Sequence, residues 1–546
     1  MKSFFLYLPL LLSHNAVIAA PSNPCSCDTE VIDLGFARHK VTLRSQTLNG
    51  HLVNVYKNIR FAEPARRFNR PTFPPIADDP GVVRTGNYTH DTQCVSAVPQ
   101  GVEIIYPGVN GTVFGSEDCL FLDVYVPADL PCRVSQTSPN SKSAGVPVLH
   151  WLYGSAYAFG SKEFYFTPLG LFDQLLSQDS PFILVVSNYR MGVYGWASSP
   201  NEEQTEANIG LYDGLAALKW SEKYIHHFGG DPSRITAGGQ STGAAIVELL
   251  SASAEDRYLP FQQAFISSPA LPLKWNTTQR RREVFDTVLD AANCSSLICL
   301  QSVSEEELRE VNRYLLNDVP SLSGGGNFGP GIGFGPIVDG DFVPDLPVGI
   351  PTLSKSLGRL KAIISANMAN EGAITSSGRG MPEGFPSLVR RILPSATDET
   401  IARIQALYQW PDAAPEQLAW QWTADAVFVC HSIAIAEALE TSTRRYVMSI
   451  PPAYHGLDSL YYFYTDDQIT PVQDIAIARS LQALLGEFLY GSEPVMINEG
   501  IEWPVYGAGS FLNITALGAK VEDLDGREAQ RCAVINEIFA DQKNGI

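Results

Sequence analysis

The sequence predicts an α/β protein with a large, mostly parallel central sheet flanked by helices, and three observations carry that prediction. The runs Leu120–Val126, Val146–Leu152 and Phe182–Ser187 are apolar on both alternating faces, as strands are when helices cover both sides of their sheet. Stretches of helical period separate such runs, most clearly Asn208 to Phe228. The pentapeptide Gly239-Gln240-Ser241-Thr242-Gly243 lies between strand-like Arg234–Ala237 and helix-like Ala244–Leu250, which gives the strand–turn–helix alternation of this class.

At the N-terminus, Lys2, the apolar run Phe4–Leu12 and the small residues Ala19 and Ala20 fit a secretory signal peptide over residues 1–20. The remainder, 21–546, is expected to be one catalytic domain. Its length would allow several domains at about 100–200 residues each, but no linker or repeat interrupts it. The glycine-rich Ser321–Pro336 is read as a surface loop, because a strand pattern resumes at once. Val31 to Pro71 reads as short strands. A loop bracketed by Cys94 and Cys119 follows and leads into the Leu120–Val126 strand. Beyond the pentapeptide, Leu360–Ser365 and Arg445–Ile450 are further strands. Functional residues are expected just past the carboxyl ends of such strands.

The formal net charge of −20 argues against nucleic-acid or anionic-membrane partners. No later stretch reaches the roughly 20 apolar residues of a membrane span, and the polar C-terminus carries no lipid-anchor tail. A secreted protein is therefore expected, and Asn87, Asn110, Asn276, Asn293 and Asn513 are candidate glycosylation sites. Nine cysteines in an exported chain point to disulfides with one thiol left over. Cys430, in the apolar helical run AVFVCHSIAIAEAL, is read as that buried free thiol. Cys25, Cys27, Cys132 and Cys532 are left unpaired by sequence reasoning.

The pentapeptide is a nucleophile elbow in form. A serine hydroxyl is a weak nucleophile until a turn exposes it to a base and to oxyanion donors. Gly239 and Gly243 allow that turn, and the helix starting at Thr242 points free N–H groups at the developing charge. In folds built around such an elbow the order is serine, then acid, then histidine. Of nine histidines only His431 and His455 follow Ser241. His431 lies in the apolar helix and is read as structural. His455 lies in the turn-rich Pro451–Gly456 just past a strand, and is the candidate base. Glu371, after the Leu360–Ser365 strand, is a candidate acid. Asp339, Asp341 and Asp345 are rivals that spacing alone leaves open.

At these residues the chain resembles the type-B carboxylesterase/lipase family, which includes cholinesterases, fungal lipases and the non-enzymatic neuroligins. The resemblance rests on Ser116-Glu117-Asp118-Cys119-Leu120, Asn188-Tyr189-Arg190-Met191-Gly192, Asn208–Asp213 with Phe228–Pro232, and Gly335–Gly340, nearly end to end. It implies the α/β-hydrolase fold, with Ser241 as nucleophile, Glu371 as acid and His455 as base. It implies the disulfides Cys94–Cys119 and Cys294–Cys299, the first closing a flap over the site. It also implies oxyanion donors at Ser155, Ala156 and Thr242. Ser155 and Ala156 stand where the family usually has glycines, and Gln240 replaces a more usual glutamate, removing a charge beside the nucleophile. The function expected is secreted hydrolysis of carboxylic esters through an acyl-enzyme, with neither metal nor cofactor. A lipase or sterol-ester hydrolase at lipid interfaces and a weakly active or non-catalytic binding protein are the alternatives. The flap holds no tryptophan for a quaternary ammonium, and its valines and isoleucines, Val95 to Val113, suit an apolar chain, so a neutral, apolar small-molecule ester is the expected partner.

Overall fold

The computed structural model describes residues 31–79, 81–99, 111–130, 145–163, 167–199, 205–253, 258–271, 274–275, 278–319, 331–344, 355–376, 384–408, 415–439, 442–491, 495–496 and 501–544. The expected signal peptide, Asn110, Asn276, Asp345, Cys25, Cys27, Cys132 and the glycine-rich stretch up to residue 330 lie outside them.

Eleven strands form the central sheet. In chain order they are β1 (Leu43–Gln46), β2 (Leu52–Arg60), β3 (Phe121–Pro127), β4 (Val146–Leu152), β5 (Ile183–Ser187), β6 (Gly230–Gln240), β7 (Gln263–Ser267), β8 (Ala362–Met368), β9 (Thr443–Met448), β10 (Ser510–Thr515) and β11 (Gly518–Asp523). Their spatial order is β11-β10-β9-β8-β7-β6-β4-β5-β3-β2-β1. The run from β10 to β5 is parallel throughout, and the antiparallel pairs are confined to the two margins.

Alternation along β4 shows how the apolar runs fold this way. Val148 and Leu152 enter the larger core cluster on one face, with α2 (Ile209–Tyr224), α3 (Thr242–Ser251), α4 (Cys430–Ala438) and α6 (Gly526–Ala540). Leu149 and Trp151 enter the other, with α1 (Leu169–Ser177) and α5 (Ile475–Leu489). His150 is the one ionisable residue in that strand. Its ring bonds the hydroxyls of Ser221 (2.8 Å) and Ser187 (2.9 Å), and burial pushes its pKa down to about 3, so it sits in the core as a neutral, satisfied group.

Several residues that carry the family resemblance prove to be braces. Arg190 forks onto buried Asp213 with two bonds of 2.7 Å, the planar pairing to which guanidinium is suited. Asn188 donates to the carbonyls of Thr92 and Cys119 at 2.8 and 3.0 Å and so fixes the base of the flap. Within that flap Val95 and Val98 are buried in the main core, so these two pack against the body of the protein instead of lining a substrate channel; residues 102–109 lie outside the described ones.

Cys94 is bonded to Cys119 and Cys294 to Cys299. Cys430 is not a free thiol: it is bonded to Cys532. Its apolar setting is real, but α6 packs against α4 and brings Cys532 to it, a contact between elements 102 residues apart. Asn87 and Asn293 are exposed, whereas the Asn513 side-chain nitrogen, within β10, donates to Glu522 at 2.7 Å. Among the described residues no helix is long and apolar enough to cross a membrane.

Candidate active site

Ser241 directly follows β6 and caps α3 in a backbone conformation, φ 59° and ψ −128°, that is rare for a side-chain-bearing residue. The neighbouring glycines make it possible by proximity. A Cβ on Gly239 would sit 2.5 Å from the Gly243 carbonyl carbon, and one on Gly243 would sit 2.1 Å from the Leu152 oxygen. The turn is then pinned from β7, where the Ser267 carbonyl accepts from the Ser241 N–H at 3.0 Å.

His455 comes from the loop after β9 and Glu371 from the turn after β8. The two loops are tied together: the Asn370 N–H donates to the Ala453 carbonyl at 3.0 Å and the Asn370 side chain to that of Pro452 at 2.8 Å. His455 Nε2 lies 2.8 Å from Ser241 Oγ, and its Nδ1 lies 2.6 Å from Glu371 Oε2. The other Glu371 oxygen accepts from the Met368 N–H at 2.6 Å, so the carboxylate is held at both oxygens. Ser241, His455 and Glu371 are 4%, 7% and 0% exposed, a largely dry setting in which hydrogen bonds to charge gain strength.

Three further side chains flank this hydrogen-bonded triad; of these, sequence reasoning singled out Gln240 and missed Phe428 and Asp458. Phe428, in a π-type turn spanning Asp425–Val429, rests its ring 4.5 Å from that of His455. The Gln240 side-chain nitrogen lies 3.4 Å from His455 Nε2. Buried Asp458 accepts from the Tyr462 and Tyr446 hydroxyls at 2.7 and 3.1 Å and from the Ser267 hydroxyl. Burial, with the nearby Glu371 charge adding to it, pushes the Asp458 carboxyl up to about 6. Asp458 was findable, three residues past His455 at the start of a short helix. Phe428 was not, because an apolar residue in an apolar helix carries no signal.

The rival acids sit elsewhere. Asp339 accepts from the Asn208 side chain at 2.7 Å and from the Val343 and Asp341 N–H groups of its own turn. Asp341 pairs with Arg70 and accepts from Tyr212, each at 3.0 Å. His431 faces Glu248 across 3.9 Å. Ser155 and Ala156, on the loop after β4, have φ of 105° and 55°, and Tyr157 continues the left-handed run at 59°. The third expected donor, Thr242, opens the first turn of α3. Among the described residues there is no group of three or more His, Cys, Asp or Glu that could hold a metal ion.

The Carboxylesterase family model matches residues 41–533. The chain belongs to that family. It is a carboxylic-ester hydrolase of the α/β-hydrolase fold. The esterase is 29% identical to Carboxylesterase patB of Aspergillus clavatus, over 94% of this chain and 96% of that protein. It is 27% identical to Lipase 1 of Geotrichum candidum over 66% and 68% of the two chains. The solved structure of Aspergillus niger EstA superposes with a TM-score of 0.74 at 22% identity, covering 93% of the esterase and 98% of EstA; at that identity the likeness speaks for the fold.

Proposed function

We propose that this esterase is secreted and cleaves neutral, apolar carboxylic esters through an acyl-enzyme formed on Ser241. The observation that carries the reading is the unbroken hydrogen-bonded chain from Ser241 Oγ through both nitrogens of His455 to Glu371. In the acylation step His455 Nε2 takes the hydroxyl proton as Ser241 Oγ attacks the ester carbonyl carbon. Glu371, accepting from Nδ1–H, fixes the tautomer and stabilises the imidazolium. The carbonyl oxygen, now carrying the charge, is held by the N–H groups of Ser155, Ala156 and Thr242. Collapse of the tetrahedral intermediate breaks the bond to the alcohol, which leaves with the proton from His455. Water then repeats the sequence on the acyl-enzyme, releasing the acid and restoring Ser241.

Secretion is supported by the leader-like N-terminus and by the disulfides, which persist in oxidising compartments. The preference for a neutral substrate is supported by the lack of tryptophan between Cys94 and Cys119, since a quaternary ammonium calls for an aromatic face. On p-nitrophenyl butyrate, Ser241→Ala is expected to lower kcat by several orders of magnitude with the fold intact by circular dichroism. An organophosphate should add one adduct, located on Ser241 by mass spectrometry. Near-parental turnover in the alanine variant would sink the assignment. Comparing kcat/KM for butyrylthiocholine and a neutral butyrate of similar leaving-group pKa tests the substrate class. A tenfold preference for the choline ester, about 1.4 kcal/mol, would overturn it.

A further inference from the structure

The loop assigned here to oxyanion binding is conformationally uphill. Ser155, Ala156 and Tyr157 all carry side chains, and all three have φ in the left-handed region, at 105°, 55° and 59°. L residues enter that region singly, not in runs. Such a loop persists only if its surroundings over-determine it, so the structure around it should contain a clamp.

Tyr157 supplies three attachments. Its carbonyl accepts from the Gly192 N–H at 2.7 Å. Its ring, 1% exposed, meets Trp196 edge-on at 4.7 Å. Its hydroxyl donates to the Ala270 carbonyl at 3.2 Å. The third bond differs from the others in where it leads. Ala270 lies just past β7, and its N–H donates to the Ser241 carbonyl at 3.0 Å. The next residue, Leu271, donates its N–H to Val427 at 3.2 Å, adjacent to the Phe428 that rests on His455. One dipeptide therefore joins the oxyanion loop to the backbone of the nucleophile and to the turn behind the base.

We infer that Tyr157 is a positioning residue whose hydroxyl, through Ala270, fixes the Ser155 and Ala156 N–H groups in register with Ser241. The inference rests on the oxyanion and nucleophile assignments proposed above. Burial holds the phenol well above its ordinary pKa, so the hydroxyl remains a donor across the working range. The competing explanation is that Tyr157 merely fills the core, a task its ring performs without the oxygen.

Tyr157→Phe separates the two, because it removes only the hydroxyl. Rates are taken per active site, titrated with an organophosphate. If the hydroxyl positions the donors, kcat for p-nitrophenyl butyrate should fall about tenfold with KM within twofold, since the oxyanion is bound in the transition state and not in the ground state. A trifluoromethyl ketone, whose adduct with a serine carries an oxyanion, should bind about tenfold more weakly. The melting temperature should stay within about two degrees. A second arm uses the Ser155→Gly/Ala156→Gly background, where positive φ is freely accessible. There the Tyr157→Phe change should cost less than threefold. Unchanged kcat and ketone affinity in Tyr157→Phe, with or without a drop in melting temperature, would overturn the inference, as would an undiminished tenfold loss in the glycine background. Failure of the underlying reading shows separately, as ester turnover that survives Ser241→Ala.

Discussion

Ser155, Ala156 and Ser241 each hold a conformation that a side chain makes costly, and each is assigned here to the reacting atoms by a backbone or hydroxyl group. At Ala156 the methyl contributes none of the proposed chemistry. Glycine there should relieve left-handed strain of about 1 kcal/mol or more, offset by about 0.4–1 kcal/mol of added unfolded-chain entropy. Ala156→Gly should therefore leave stability unchanged or raise it by up to about 1 kcal/mol in urea unfolding, with turnover within about threefold of the parent. A fall of about 10²–10³ in kcat, the scale of a lost oxyanion donor, would show that the methyl holds the loop. At this scale the sequence was readable wherever chemistry restricts residue type. Ser241 stood out because glycines flank it, and His455 because only two histidines follow the serine. Glu371 could not be separated from Asp339 by residue type, since both are carboxylates near turns; the family resemblance singled it out. Tyr157 gave no sign, because the partner of its hydroxyl is a backbone carbonyl 113 residues away.

Helix α3 combines two features, the N-terminal turn beside Ser241 and a buried carboxyl at Glu248, two turns further on. Neither Glu248 oxygen has a hydrogen-bond partner among the described residues. His431 faces it at 3.9 Å and is itself pushed down to about 4, mainly by burial; the Tyr157 phenol is also within electrostatic reach. Burial pushes Glu248 up to about 8 from an ordinary value of 4.5. Because the folded pKa is the higher one, the unfolded chain releases the proton first. Stability is then full below pH 4.5 and declines as pH rises towards 8. Glu248→Gln keeps the shape and removes the titration. Its unfolding free energy relative to the parent should climb between pH 5 and 8, with a gap at pH 8 on the order of a few kcal/mol; a constant gap would mean that Glu248 does not titrate in that window. Helix periodicity revealed α3 and α4 as buried elements but was silent on the π-type turn at Asp425–Val429, because an inserted residue shifts the register without changing composition.

Across the molecule, the Cys430–Cys532 bond ties α6, near the end of the described chain, to the helix that follows the Phe428 turn, and closes a loop with a separation of 102 residues. Cross-links of that span contribute about 2–5 kcal/mol, chiefly by restricting the unfolded chain. Replacing both cysteines by alanine should lower unfolding stability by that amount under non-reducing conditions, measured by guanidinium titration. A change below about 0.5 kcal/mol would indicate that the packing of α6 suffices. The sheet itself was legible from runs such as Val146–Leu152 because a two-sided apolar strand has few other homes. The pairing of Cys430 was not legible, since it depends on how α4 and α6 meet after the sheet has formed.

The strands that carry the proposed machinery are neighbours in the sheet, while the residues they present are far apart in the chain. β6, β7, β8 and β9 lie side by side, yet His455 is 214 residues from Ser241 and 84 from Glu371. Contacts of such long range form slowly, because each closes a large loop before any compensating interaction is made. Helices can thus be in place while the parallel centre is still unjoined. An ester-cleavage assay on this protein is for that reason also a folding assay: it counts only molecules in which the last strand has docked, and is blind to every partly assembled form that a spectrometer would score as structured.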